Sequence, residues 1–124
     1  MKSRVEKGIL KQLNFKDIIL GNLHIDKSVN KLENNACSYF NDLIKVTMSN
    51  SVEIIGGSAF ASCKKLKSVE LPKSIKEIGY AAFASCETLE KISIPKGVKV
   101  KPYAFQYCIG LKKAKIDDNL FMKD

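Results

Sequence analysis

Apolar residues recur along this chain at a period far longer than that of any helix or strand. Leu66-x-x-Val69-x-Leu71-Pro72 returns as Leu89-x-x-Ile92-x-Ile94-Pro95 and, weakened, as Leu111-x-x-Ala114-x-Ile116. Before each of these stretches stands a second block. It reads Ile55-Gly56-x-x-Ala59-Phe60-x-x-Cys63, then Ile78-Gly79-x-x-Ala82-Phe83-x-x-Cys86, then Val100-Lys101-x-x-Ala104-Phe105-x-x-Cys108. The interval from Phe60 to Phe83 repeats, shorter by a single position, from Phe83 to Phe105. The shortfall belongs between Pro95 and Val100, where a loop absorbs it. Such a period marks a solenoid, a stack of coils that bury their apolar residues against neighbouring coils.

The same interval, counted back from the clear copies, uncovers older ones. Leu43, Val46 and Met48 stand for Leu66, Val69 and Leu71, and Leu20, Leu23 and Ile25 stand one turn earlier. Ala36 and Leu32 match Ala59 and Ile55. Cys37 and Phe40 have exchanged the places of Phe60 and Cys63, a swap that keeps summed core volume. About five turns result. The chain reads as one domain over 1–124, with degenerate repeats over 16–51, well-formed repeats over 52–116 and a tail over 117–124. Residues 3–15 place Val5, Ile9, Leu10 and Leu13 on one helical face, with Ser3 and Glu6 at capping-box spacing. They predict an N-terminal cap helix over the first coil; the alternative is a frayed start.

Within each turn, the Leu-x-x-Val-x-Leu stretch predicts a strand, and stacking makes a parallel sheet on one face. Proline ends that ladder. The Ile-Gly piece predicts a second short extended segment, and Ala-Phe-x-x-Cys a helical turn that buries phenylalanine. Gly56 and Gly79 are expected to use backbone conformations closed to other residues, so Lys101 predicts a different local backbone. The class is α/β. Register alone then gives two outward columns. One holds Asn22, Lys45, Ser68, Lys91 and Lys113; the next holds His24, Thr47, Glu70, Ser93 and Lys115. Lys91, Lys112, Lys113 and Lys115 would gather at the C-terminal end of the sheet face, a cluster that an anionic partner relieves. Tyr80 and Tyr103 flank the Ala-Phe element on the expected convex side and are candidate contact residues.

Composition narrows the chemistry. The net charge is +8, which favours acidic partners. Arg4 is the only arginine, so any nucleic-acid contact would be nonspecific. Cys63, Cys86 and Cys108 stack one per turn, but no C-x-x-C pair offers a zinc site; they and Cys37 read as buried reduced thiols. His24 is the only histidine, and the register sets no nucleophile beside it. No cofactor or metal is expected. No apolar run reaches the length of a membrane span and no signal-peptide core opens the chain, so it reads as cytoplasmic as it stands. Leu120, Phe121 and Met122 would either fold over the last coil or pair with another copy in a homodimer.

These motifs resemble the BspA-type leucine-rich repeat, whose loose pattern is L-x-x-I-x-(I/L)-P followed by I-G-x-x-A-F-x-x-C. The match runs through Leu66, Val69, Leu71, Pro72, Ile78, Gly79, Ala82, Phe83, Cys86, Leu89, Ile92, Ile94 and Pro95. Departures are Lys101 for glycine, Ala114 for isoleucine and Asp117 for proline. The resemblance implies a leucine-rich-repeat solenoid without catalytic activity. It further implies a bacterial or protozoan protein, often secreted or on the cell surface, that binds host matrix proteins or other macromolecules. The leading expectation is a protein-binding module using the sheet face and its flanks. A small intracellular or phage-type inhibitor of an acidic or nucleic-acid-containing enzyme, and a nonspecific nucleic-acid binder, are the alternatives.

Overall fold

The computed structural model describes residues 2–113. Two sheets run along the stack. The four-stranded sheet holds β3 (Asn22–Ile25), β5 (Lys45–Met48), β7 (Ser68–Glu70) and β9 (Lys91–Ile92), all parallel. The six-stranded sheet holds β1 (Arg4–Glu6), β2 (Ile9–Gln12), β4 (Lys31–Leu32), β6 (Ile54–Ile55), β8 (Glu77–Ile78) and β10 (Lys99–Val100). Asn22, Lys45, Ser68 and Lys91 face one another in register. In the six-stranded sheet Glu77 pairs with Ile54 on one side and with Lys99 on the other, and Lys99 is the nearer in sequence by a single position. The shortened coil therefore loses its residue between Pro95 and Lys99, at a loop whose Gly97 has φ +85°.

The core is a set of columns. Leu43, Leu66, Leu89 and Leu111 are fully buried, as are Val46 and, nearly, Val69. Phe60, Phe83 and Phe105 form a parallel stack, with ring centroids 5.2 Å and 5.4 Å apart and planes within 4°. Cys37 is buried and ends that column, whereas Phe40 packs only half-buried against the core. The other three thiols also have a hydrogen-bonding task. Cys63 Sγ donates to Cys37 O at 3.2 Å, Cys86 Sγ to Phe60 O at 3.0 Å and Cys108 Sγ to Phe83 O at 3.0 Å. A cysteine here fills space and satisfies a carbonyl buried in the preceding coil.

The Ala-Phe-x-x-Cys segment is a run of overlapping tight turns. N–H groups alternate between a carbonyl of the same turn and a carbonyl of the next coil. Ala82 N–H reaches Gly79 O and Ala84 N–H reaches Ala81 O, while Phe83 N–H reaches Ala104 O at 2.7 Å. Two residues per coil carry positive φ to achieve this: Asn35 and Tyr39, Ser58 and Ser62, Ala81 and Ser85, Tyr103 and Tyr107. None is glycine.

The glycines of the repeat act differently from the expectation. Gly56 and Gly79 are not at positive φ. A Cβ on Gly79 would lie 2.7 Å from the backbone of Gly56, and one on Gly56 would lie 2.6 Å from Leu32 O. Glycine is needed because coils approach closely there. Lys101 keeps the corresponding backbone bond, donating to Ile78 O at 2.9 Å as Gly79 donates to Ile55 O at 2.8 Å, while carrying a Cβ at this position.

Three further expectations are corrected. The N-terminal cap is a hairpin, not a helix. β1 pairs antiparallel with β2, and β2 extends the six-stranded sheet parallel to β4. Lys7 and Gly8, both at positive φ, turn the hairpin. A helix would leave the first strand edge unpaired, while this hairpin covers it. Ser3 is used elsewhere than in a capping box: Asp17 accepts from its N–H and its hydroxyl, and its Oγ accepts from Asn14 N–H. Leu20 is not in the leucine column. It sits at φ 50° in a tight turn bridging Ile19 and Asn22 and is 94% exposed, while Ile18 packs against the core instead. Finally, Lys113 ends a short helix, α1 (Ile109–Lys113), where a strand was expected. Leucine and lysine favour helix and no β-branched residue follows Ile109 in this stretch.

Candidate functional site

The outer face of the four-stranded sheet carries side chains on alternate positions of β3, β5, β7 and β9. Lys45 and Glu70 meet across adjacent coils, Nζ to Oε2 3.0 Å. With Ser68, Lys91, Glu90, Ser93 and Pro95 they line a groove of about 750 Å³ that Leu71 also borders. Three of the sequence-derived contact residues, Lys45, Glu70 and Lys91, are thus brought together. Lys112 and Lys113 lie on the backbone of α1 rather than in a strand. Lys115 lies outside the described residues, as do Ala114, Ile116 and the Leu120–Met122 triplet on which the homodimer expectation rested. Among the described residues the strand column runs to Lys91, and the groove lining is charge-balanced: Glu70 neutralises Lys45, and Glu90 stands next to Lys91.

Tyr80 and Tyr103 belong to another surface. They pack edge to face, centroids 5.2 Å apart at 67°. Tyr80 stands beside the six-stranded sheet, in a shallow groove floored by Gly56, Gly57 and Gly79 and edged by Asn34, Glu77 and Lys101. Tyr39 and Tyr107, both at positive φ, are more exposed than Tyr80. Periodicity could not mark them, because they occupy the position held by Ser62 and Ser85 in other coils.

His24 has hydroxyls at both ring nitrogens, Thr47 Oγ1 at 2.8 Å from Nδ1 and Ser49 Oγ at 3.3 Å from Nε2. The register did not foresee Ser49. A hydrolytic triad would need a carboxylate on the other nitrogen, and Asp26 is instead bonded by the hydroxyl and N–H of Ser28. Ser28 holds the Asp26 carboxyl below its ordinary range.

All four cysteines are free and buried. Burial pushes the Cys37 thiol well up, the hydrogen bond with Cys63 and then burial raise Cys86, and burial pushes Cys108 up to about 12. Among the described residues no group of three His, Cys, Asp or Glu side chains is placed to hold a metal ion, and no helix is long and apolar enough to cross a membrane.

Known proteins agree with this geometry. A leucine rich cell surface protein from Faecalibacterium prausnitzii has 33% identity and a TM-score of 0.70 over 73% of this chain. The T. pallidum leucine rich repeat protein has 25% identity and a TM-score of 0.74 over 94% of it. The chain spans 24% of the length of the first and 58% of the second. No curated protein matches significantly. The BspA type leucine rich repeat region matches residues 9–122 in six copies, one more than the turns counted from periodicity. Solenoids of this type are non-catalytic scaffolds that present side chains from a rigid stack to another protein. On this match and this coil geometry, the chain belongs to the BspA-type leucine-rich repeat family.

Proposed function

We propose that this chain is a cell-surface adhesion module that holds a protein partner against the outer face of its four-stranded sheet. The groove along β5, β7 and β9 carries the reading. It is lined by the hydroxyls of Ser68 and Ser93, by charges of both signs and by the partly exposed Leu71. A mixed lining of hydroxyls, opposite charges and one partly exposed leucine suits the polar surface of a protein interface. The groove is open along its length, unlike the enclosed pocket that buries a small molecule. Because Lys45 is neutralised by Glu70, the partner engages through shape and hydrogen bonds, with Lys91 supplying one positive contact for an acidic group. The cell-surface placement is supported by the name of the F. prausnitzii relative.

The test is binding of the folded chain to a panel of purified extracellular-matrix glycoproteins. Ser68→Trp and Lys91→Glu, which fill the groove and reverse its charge, should weaken the interaction at least tenfold with an unchanged Tm. Unchanged affinity in both folded variants, with loss in Tyr80→Ala, would move the site to the tyrosine-bearing surface. No binding to any panel member would overturn the adhesive reading.

A further inference from the structure

Among the described residues, unpaired positive charge gathers away from both faces described above. It lies on the ridge where the chain leaves the four-stranded sheet and turns toward the six-stranded one. The third coil makes that turn with Pro72-Lys73-Ser74-Ile75-Lys76, and the fourth with Pro95-Lys96-Gly97-Val98-Lys99. Lys73, Lys76, Lys96 and Lys99 are all exposed. The two coils are adjacent: Lys99 N–H donates to Lys76 O at 2.9 Å, and Lys99 pairs in register with Glu77. Neighbouring strands lie about 4.8 Å apart, so four ammonium groups share two adjacent turns.

The acids nearby cancel only one of them, Lys76. Glu53 serves Lys76 at 3.4 Å and Glu77 serves Lys101 at 3.8 Å. Among the described residues Lys73, Lys96 and Lys99 have no ion-pair partner. The third-coil turn is also held firmly. Ile75 N–H closes on Pro72 O, Ser74 Oγ donates to Val52 O at 2.6 Å, and Lys73 N–H donates to Asn50 Oδ1 at 3.0 Å. In the fourth coil Gly97 replaces that serine at the tip, where an added Cβ would meet nothing within 4 Å. The lysines therefore stand on protruding turns in open solvent.

We infer that this ridge, separate from the proposed protein-binding groove, is a site for a linear acidic polysaccharide that bears sulfate or carboxylate groups. Lysines at this spacing repel one another, and a polymer with serial negative charges relieves that repulsion along its length. The ridge exposes no large apolar side chain, as Ile75 is buried and Val98 half-buried. It thus lacks the apolar anchor of a protein interface and the wedge that inserts into a lipid surface. It carries no arginine fork and no aromatic ring on which bases could stack, which disfavours nucleic acid.

The experiment is heparin binding by the full chain across a salt series, with duplex DNA and anionic phospholipid vesicles as comparison ligands. Substituting serine at Lys73, Lys76, Lys96 and Lys99 together should weaken heparin binding at least tenfold, with an unchanged melting curve. A control that removes equal charge elsewhere, with serine at Lys2, Lys7, Lys16 and Lys65, should retain most of the affinity. Equal loss in the control would show an effect of net charge and overturn the site. DNA or vesicles binding as tightly as heparin through the same four lysines would overturn the polysaccharide assignment. Absence of heparin binding at low salt would overturn both.

Discussion

Adding one methyl group at position 79 should destabilise the solenoid by about 1–3 kcal/mol, the range for overpacking a filled interior. The Cβ of Gly79→Ala would lie 2.7 Å from Gly56 C, 2.8 Å from Gly57 N and 2.8 Å from Ile55 O. Ordinary contact begins near 3.4 Å, so the two coils would have to part by roughly 0.6 Å. All three obstacles are backbone atoms, and no rotamer change can relieve them. The same displacement stretches the hydrogen bond from Gly79 N–H to Ile55 O, now 2.8 Å. Backbone freedom does not enter, because Gly79 is not at positive φ. Gly57→Ala is the matched control: its nearest neighbour would be Tyr80 O at 3.4 Å. That substitution should stay within about 0.5 kcal/mol of the parent. Urea unfolding followed by circular dichroism reads both, as a shift in midpoint at constant slope. A Gly79→Ala protein within about 0.5 kcal/mol of the parent would refute the close-approach argument. So would a Gly57→Ala protein that loses as much as Gly79→Ala.

Leu89→Ala, in a fully buried column, should cost about 2–5 kcal/mol, and a cost under about 0.5 kcal/mol would place Leu89 outside the core. The four thiols should resist a soluble disulfide reagent in the native state and react fully in denaturant; fast native reaction would contradict their burial. Cys86→Ala, which strips Phe60 O of its donor, should cost about 1–3 kcal/mol in thermal or urea unfolding, and a neutral result would remove that role from the thiol. Burial raises the Asp17 carboxyl, but hydrogen bonds from Lys2 N–H, the Ser3 hydroxyl and Ser3 N–H outweigh it and hold the group below 3.8. Its stabilising contribution is therefore complete above the unfolded value and lost as pH falls through the lower folded value. Local opening measured by amide exchange at Lys2 and Ser3 should increase in that window and show no such step in Asp17→Ala; a parent without the step would refute the tether.

The inward columns were legible because each coil needs an apolar residue at the same phase. Leu43, Leu66, Leu89 and Leu111 declare themselves once per coil, and all are fully buried. The same phase set the facing of Asn22, Lys45, Ser68 and Lys91, because an outward position in one coil is outward in the next. That was enough to bring Lys45, Glu70 and Lys91 onto one surface. It failed at both ends of the repeat. Val5, Ile9, Leu10 and Leu13 satisfy a helical face as well as a strand, and only the need to cover a strand edge selects the hairpin. Lys113 occupies the phase of a strand residue, but it lies in α1.

Repeat length, family and the inward-facing residues depend on spacing within one chain, so the order of amino acids was enough to read them. What neighbouring coils do to each other emerged only in the folded stack. Glycine at 56 and 79 answers to the backbone of the coil before it, and Ser58, Ser62, Ala81 and Ser85 take positive φ to reach carbonyls in the coil after. Charge followed the same rule. Lys45 was neutralised by Glu70 of the adjacent coil, while Lys73, Lys76, Lys96 and Lys99 converged on one ridge. Contacts between residues a full coil apart set these features, and a local pattern holds no record of which side chains the stacking will bring together.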